Sequence, residues 1–420
     1  MVNKTGSTRK IPRGRSLTPH DNEFVENRQF IYDKLRSQAP RYYDPDYGRI
    51  LLTKFDDVRT TLKSPDFSVK AKFSEKDSYM RKIAATGLDS HQGDTAYEPP
   101  LVLLDDPDHR RVRSLINRFF TPRAVENMRR PIESITQKLL DSFVGKKDID
   151  LIKDFAAPLS TLVILKILGM PDDSPNKFRK WSEDILMGYD PERSPDIREN
   201  LRSAFIQMSK AFRESVSKSR QSSGPDLISV MVDAKEKKGQ ISDLEIISLC
   251  IQIMVAGNVT TSDLIGNGFY ALLGHQNCLG RLLENPHLID DAVEEMLRFD
   301  CPISETGRIA KKDISLNGYL VGTNETITAS LSAANHDPEK FPQPHKFILD
   351  RKNNDHLSFG SGIHVCLGAA LARLETRIAV RQLLARYPLI HLSPDIPPVR
   401  RILPFFSGFT SLCVRLSGTS

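Results

Sequence analysis

The sequence predicts a mainly α-helical fold with a small β-rich part. Three observations carry this. Apolar residues recur at helical spacing through most of residues 107–230. One nearly all-apolar run extends from Ser242 to about Leu273. Short alternating stretches are confined to residues 48–55, 313–330 and 391–416. No internal repeat and no Pro/Gly-rich linker divides the 420 residues, a length sufficient to bury a large core and enclose a cofactor. The expected organisation is a flexible basic arm over residues 1–20 and a single domain over 21–420.

Taken in order, the arm carries Lys4, Arg9, Lys10, Arg13 and Arg15, a charge cluster typical of a solvated terminus. Helical spacing follows over 21–37, and GRILLTKF (48–55) alternates as a strand does. Residues 78–100, with Gly87, Gly93, Pro99 and Pro100, read as a long loop of the kind that covers a site. The helices of 107–230 break at Thr121-Pro122, Pro171-Asp172-Asp173 and Asp190-Pro191. Asn317-Gly318 marks a turn between two short strands.

The long apolar run opens with Ser242-x-x-Glu245, the capping-box spacing. At about 1.5 Å per residue, some thirty residues cross a whole molecule, and a helix apolar on all sides is a buried one. Its middle reads Ala256-Gly257-Asn258-Val259-Thr260-Thr261. A glycine and two hydroxyls there make either a notch for a ligand or a packing notch against another helix.

Composition excludes several classes. The net charge is +6, yet no aromatic interleaving or nucleic-acid module accompanies it, so no nucleic-acid role is expected. Cys250, Cys278, Cys301, Cys366 and Cys413 are odd in number and contain no C-x-x-C, which fits a reducing compartment. With no secretory h-region and no uninterrupted eighteen-residue apolar run, a soluble cytoplasmic protein without membrane insertion is expected.

The strongest motif is Phe359-Gly360-Ser361-Gly362-Ile363-His364-Val365-Cys366-Leu367-Gly368. Two glycines allow a tight turn and close backbone approach to a flat ligand. Cys366 stands at the entrance of the next helix, where free N–H groups stabilise a thiolate. This motif resembles the haem-binding loop of the soluble, bacterial-type cytochrome P-450 family. Further matches follow the family's order from about residue 20 to the end. Glu295-x-x-Arg298 resembles its E-x-x-R pair, with Arg351 as third member. Asp106-Pro107-Asp108-His109-Arg110-Arg111-Val112-Arg113 resembles its D-P-x-H-x-x-x-R.

The resemblance implies a cytochrome P-450 fold with haem b between the long central helix and the cysteine loop, and Cys366 as axial iron ligand. A thiolate ligand favours O–O cleavage. It implies contacts to the haem from His109, Arg113, Ala256, Gly257, Thr260, Arg308, Ser358, Phe359, Gly360, His364 and Gly368, with His356 a weaker candidate. His109, Arg113, Arg308 and His364 would donate to the propionates. It implies a structural ion-pair cluster of Glu295, Arg298 and Arg351, and oxygen handling at Gly257 and Thr260. The family's usual acid before that threonine is here Val259, so Asn258, Thr261, an ordered water or the more remote Asp263 would have to move protons. A substrate pocket is expected from the loop 78–100, helices near 180–210, Val255, Ala256, Ile303, Ser304, Phe406 and Phe409. Its apolar character points to a terpenoid-, steroid- or aromatic-like molecule.

The implied reaction inserts one atom of O₂ into a C–H bond. No flavin or nicotinamide fingerprint is present, so electrons are expected from a separate ferredoxin-type protein with its reductase, steered by Arg110, Arg111, Arg113 and Arg118. Two alternatives stand beside this: an atypical member using peroxide or performing C–C coupling or desaturation, and a non-catalytic haem sensor or carrier.

Overall fold

The computed structural model describes residues 11–84, 96–171, 174–222 and 224–416. The helices are α1 (Asn22–Gln38), α2 (Phe55–Lys63), α3 (Tyr79–Ala84), α4 (Asp108–Ile116), α5 (Pro122–Glu126), α6 (Arg129–Asp141), α7 (Ala157–Leu168), α8 (Pro175–Leu186), α9 (Pro195–Gln221), α10 (Leu227–Lys238), α11 (Asp243–Gly274), α12 (Gln276–Glu284), α13 (Ile289–Phe299), α14 (Leu331–Ala334) and α15 (Ala369–Arg386). Strands β1 (Arg41–Asp44), β2 (Arg49–Leu52) and β3 (Phe67–Ser68) precede the helical part, and β4 (Asp148–Asp150) interrupts it. Later come β5 (Glu305–Ala310), β6 (Ile314–Leu316), β7 (Tyr319–Val321), β8 (Thr326–Ser330), β9 (His391–Leu392), β10 (Val399–Arg400), β11 (Phe409–Ser411) and β12 (Cys413–Arg415). The mainly helical expectation holds.

The axis of the molecule is α11. Its capping box is complete: Glu245 N–H donates to Ser242 Oγ (3.1 Å) and Ser242 N–H to the Glu245 carboxylate (2.8 Å). It is long and apolar enough to cross a membrane, but here it runs through the core, against α7, α8, α9, α13 and α15. Met254, Val259, Ile265 and Phe269 are fully covered. The main sheet has the order β1-β2-β8-β5-β3. β2 pairs with β8 in parallel, Ile50 opposite Ile327, and the other pairs are antiparallel. In the β6–β7 hairpin Asn317 and Gly318 both take positive φ, as the turn demands.

Three expectations change. Of the basic arm, the described residues 11–20 are not free. Gly14–Leu17 is a short 3₁₀ turn and Leu17 is 1% exposed. An apolar side chain against the body outweighs the solvation of nearby arginines. Residues 79–84 of the expected loop form α3, while residues 85–95 lie outside those described. β5 had no legible strand pattern, since Gly307 and Arg308 interrupt it. It forms because β3 and β8 satisfy its backbone on both edges.

Candidate functional site

The cysteine loop follows from its two glycines. Gly360 and Gly362 have φ of 70° and 74°, the left-handed region that other residues avoid. At Gly362 a Cβ would also strike the Leu62 carbonyl at the end of α2. The loop closes by Gly360 N–H to Leu357 O (2.8 Å) and Cys366 N–H to Phe359 O (2.9 Å). Arg113 on α4 departs from the expected propionate role: both its Nη atoms donate to loop carbonyls, of Ile363 (3.1 Å) and Val365 (2.8 Å), clamping the loop from outside. Cys366 is exposed, and Gly368 caps α15 just after it. Crowding by protein atoms pushes its thiol up, opposed by the Gly368 N–H and the charges of Arg113 and Arg373. The proton on this thiol is one a bound metal cation would displace.

Three side chains from distant segments form a second feature. The rings of His109 and His364 lie 4.4 Å apart. Buried Arg308 donates to Thr306 Oγ1 (3.3 Å) and Gly307 O (2.8 Å). Burial lowers its guanidinium to about 10. Burial lowers His364 to about 3, helped by the charges of Arg308, His109 and Arg113. His109 is also lowered, by burial first and Arg113 second, and its Nε2 has no partner among the described residues. No carboxylate of the described residues lies within ion-pair distance of Arg308. Asp106 Oδ1 lies 3.6 Å from His109 Nδ1, so the donors left without an anion are His109 Nε2 and the Arg308 guanidinium, and desolvated donors of this kind suit a site for carboxylates.

On α11, Ala256 is exposed although Val255 and Val259 beside it are buried, so the helix has an open face at this point. Thr260 is half-buried, and its Oγ1 donates to Ala256 O (2.5 Å). Gly257 answers the question of the notch differently: a Cβ there would strike Ile164 on α7. It is a helix-packing notch and does not share the open face of Ala256. Asn258 is a further correction. It is fully buried, its Nδ2 donates to Ser182 Oγ (2.8 Å), and its main-chain carbonyl accepts from Ser160 (2.8 Å) and Arg179 (3.2 Å). Tied to α7 and α8, it is no proton relay from the open face. Thr261 is 4% exposed and likewise turned into the core. Asp263 is buried with Arg401 Nη2 3.2 Å from Oδ1, and Oδ2 has no partner among the described residues. Burial pushes its carboxyl up, against Arg401 and Arg179.

Ser358 is committed elsewhere. Its hydroxyl donates to Leu297 O (2.7 Å) and accepts from Asn335 (2.8 Å). The Phe359 ring lies 4.5 Å from the Arg373 guanidinium. His356 is bound to Glu294 (3.2 Å) and accepts from Ser358 N–H, so it is no propionate donor. The ion-pair cluster is complete: Glu295 Oε1 and Oε2 accept from Arg298 (2.8 Å each), from Arg351 Nε (3.1 and 3.0 Å), from Ile348 N–H and from Asn354. Arg298 also donates to the carbonyls of Asn335, Pro344 and Lys346. Such saturation is what permits charge at 0% exposure.

At the expected substrate end, Ile303 bridges to Phe406, and Ser304 N–H donates to Phe405 O (2.8 Å). Tyr79, Tyr189, Phe405 and Phe406 form an aromatic group, with Tyr79 stacked on Phe405 at 5.4 Å. Sequence reasoning missed Tyr79 and Tyr189, because nothing local marks two tyrosines as neighbours of a turn more than two hundred residues away. Phe409 belongs to the core instead, 4.9 Å from Tyr270 and under Arg400 at 4.0 Å.

A cysteine at a helix entrance, glycines that bring backbone close, and the desolvated donors of His109, Arg308 and His364 are the features that a thiolate site for a flat anionic cofactor would use. The family model described as "Cytochrome P450" matches residues 24–404. The chain is 38% identical over 393 residues to cytochrome P450 CYP107DY1 of Priestia megaterium, covering 90% of this chain and 94% of that one. It is 35% identical to the biotin biosynthesis cytochrome P450 of Bacillus subtilis, covering 89% and 92%. Among solved structures, P450BioI with an acyl-carrier-protein-bound hexadecenoic acid superposes with a TM-score of 0.84 at 33% identity, covering 94% and 100%. CYP267B1 with myristic acid superposes with 0.85 at 32%, covering 94% and 98%. This chain belongs to the cytochrome P450 family, and its cofactor is haem with Cys366 as the thiolate ligand.

Proposed function

We propose that this monooxygenase acts on a hydrophobic small molecule held between Ala256 and the turn at Phe405 and Phe406, with electrons from a separate ferredoxin-type protein. Haem bound at Cys366 supplies the activation of O₂, which consumes two electrons and two protons and releases one oxygen atom as water. The remaining tasks fall to the chain. His109, Arg308 and His364 hold the two propionates, and Arg113 fixes the loop that carries Cys366. Ala256 leaves room beside α11, and Thr260 presents a hydroxyl there. Val255, Ile303 and Phe406 exclude water. Val259 cannot carry a proton, so Thr260 works with water, and Asp263 is the buried acid one turn farther along α11.

The observation that carries this reading is the convergence of three desolvated donors, from residues 109, 308 and 364, beside the Cys366 loop. The test is the absorption spectrum of the dithionite-reduced protein under carbon monoxide, wild type beside Cys366→His. The expected result is a long-wavelength Soret band lost in the variant. A short-wavelength band in the wild type would overturn thiolate ligation. Val259 favours a second reading, in which peroxide replaces O₂ and the redox partner. Product formation with peroxide alone, equal to that with partner and reductant, would select it.

A further inference from the structure

Residues 14–20 take no part in the chemistry above, yet they are firmly anchored. Gly14 has φ of 56°, and a Cβ there would meet Asp46 Oδ2 at 2.7 Å. Its N–H donates to Asp44 Oδ1 (2.9 Å). Leu17 is buried, and fully covered Arg49 reaches its carbonyl (3.5 Å). From this base two side chains extend to the connector between α8 and α9, residues 187–193. Arg15 Nη1 lies 2.6 Å from Glu192 Oε2, which shares its carboxylate with the Tyr47 hydroxyl (3.0 Å). His20 Nε2 lies 3.1 Å from Asp190 Oδ1.

The two pairs differ in weight. Arg15 is 62% exposed, so its pair is readily replaced by water. His20 and Asp190 are 13% and 4% exposed, so water does not readily replace their bond. The other side of the connector faces the substrate end. The Tyr189 ring lies 5.3 Å from Phe406 and 6.2 Å from Phe405. Arg193 donates to the carbonyls of Gly188, Asp190 (2.7 Å) and Lys82 (3.0 Å), which joins the connector to α3. The connector is therefore held from outside by residues 14–20 and rests inside on the aromatic turn.

We propose that residues 14–20 are a latch that holds the connector 187–193 closed over Phe405 and Phe406, with the His20–Asp190 bond as its clasp, tight when the imidazole is charged and loose when it is neutral. Its consequence for substrate entry rests on the reading of Phe406 as a pocket wall; the latch itself does not. The charged groups facing His20 are Asp190 and Glu192 from the connector and Arg15 from its own segment. The hydrogen bond to Asp190 raises the imidazole above 6.5, burial opposes, the two carboxylates add and Arg15 subtracts. Burial works against the Asp190 carboxylate, yet His20 and the Glu192 N–H hold it below its ordinary value. A raised imidazole gives a clasp that is complete below pH 6.5 and lost as pH rises through the folded value.

The experiment is hydrogen exchange by mass spectrometry on the haem-loaded full chain, below pH 6.5 and at about pH 9, with intrinsic rates divided out. Amides of 187–193 in the wild type are expected to exchange roughly tenfold faster at the higher pH. His20→Gln is expected to exchange fast at both. Glu192 N–H and His20 Nε2 share Asp190 Oδ1 as acceptor, so Asp190→Asn keeps that oxygen and removes only the carboxylate charge on which the tight state of the clasp depends. The double variant should be no faster than either single one. Exchange in α11 and α15 should stay unchanged throughout, which separates unlatching from unfolding. Equal protection of the wild-type connector at both pH values, or additive effects of the two substitutions, would overturn the latch. No readout depends on turnover, so failure of the substrate reading leaves the result intact.

Discussion

Glu294 shows how one side chain near the haem loop contributes to the acid sensitivity of the fold. Arg373 Nε lies 2.7 Å from its Oε1 and His356 Nε2 3.2 Å from its Oε2. Burial would raise this carboxyl, but His356 and Arg373 hold it down at about 2. A lowered carboxylate contributes stability above pH 4.5 that is lost as pH falls toward 2. The contribution is about 3 kcal/mol at most. Glu294→Gln should flatten the acid limb of the stability curve, and urea titrations at pH 6 and at about pH 3 check it; an unchanged limb would show that Glu294 is not responsible. At this scale the sequence was legible where a motif carried chemistry and opaque where a side chain chose between two sides. Glu295, Arg298 and Arg351 meet as the resemblance implied. Asn258 and Ser358 do not face the cofactor side, because helix phase and a carbonyl at hydrogen-bond distance decided their direction. Asp106, just ahead of α4, pairs with Arg110 (2.9 Å), and Pro107 stands at the cap.

Two glycines separate packing from turn geometry at the level of elements. At Gly257 the obstacle to a Cβ is the tip of the Ile164 side chain, which can move. Gly257→Ala should cost about 1–3 kcal/mol, and Ile164→Val should recover much of it, read by thermal melts of single and double variants. At Gly362 the obstacle is the Leu62 carbonyl, and φ is positive. Gly362→Ala has no such rescue and should impair haem retention, measured as the haem-to-protein ratio after purification. Equal rescue at both sites would refute the distinction. The long helix α11 was legible nearly to the residue, since capping and unbroken apolarity are local properties. β5 was not, because its pairing energy comes from partners at other points in the chain.

Across the whole molecule, the basic helix α4 and the 3₁₀ turn Asn117–Phe120 that follows it divide their arginines between tasks. Arg111 is paired with Glu245 (2.5 Å) and Arg113 with the loop carbonyls. Arg110 is 82% exposed beside Asp106, and exposed Arg118 has no carboxylate within ion-pair distance among the described residues. Ile363 and Val365 are exposed on the adjacent loop. A partner docking over this face would meet an apolar centre with a basic rim. Arg110→Glu with Arg118→Glu should lower the electron-transfer rate at low salt and flatten its salt dependence; an unchanged salt slope would remove these residues from the partner's path. The fold class was legible in the sequence because periodicity integrates over hundreds of residues. The assembly of the anion-seeking cluster was legible only through resemblance, since no local pattern joins residues 109, 308 and 364.

That same wide spacing orders events in time. β2, from the first eighth of the chain, finds its parallel neighbour only when β8 exists, and Arg28 on α1 reaches Ser407 (3.1 Å). Cys366 and His364 emerge later than almost all the helices. A nascent chain on the ribosome therefore carries a long apolar α11 with nothing yet to close the pocket beneath it. Completion of the Cys366 loop therefore waits for the last part of the chain, and until then the exposed apolar length of α11 is an aggregation hazard of the unfinished protein.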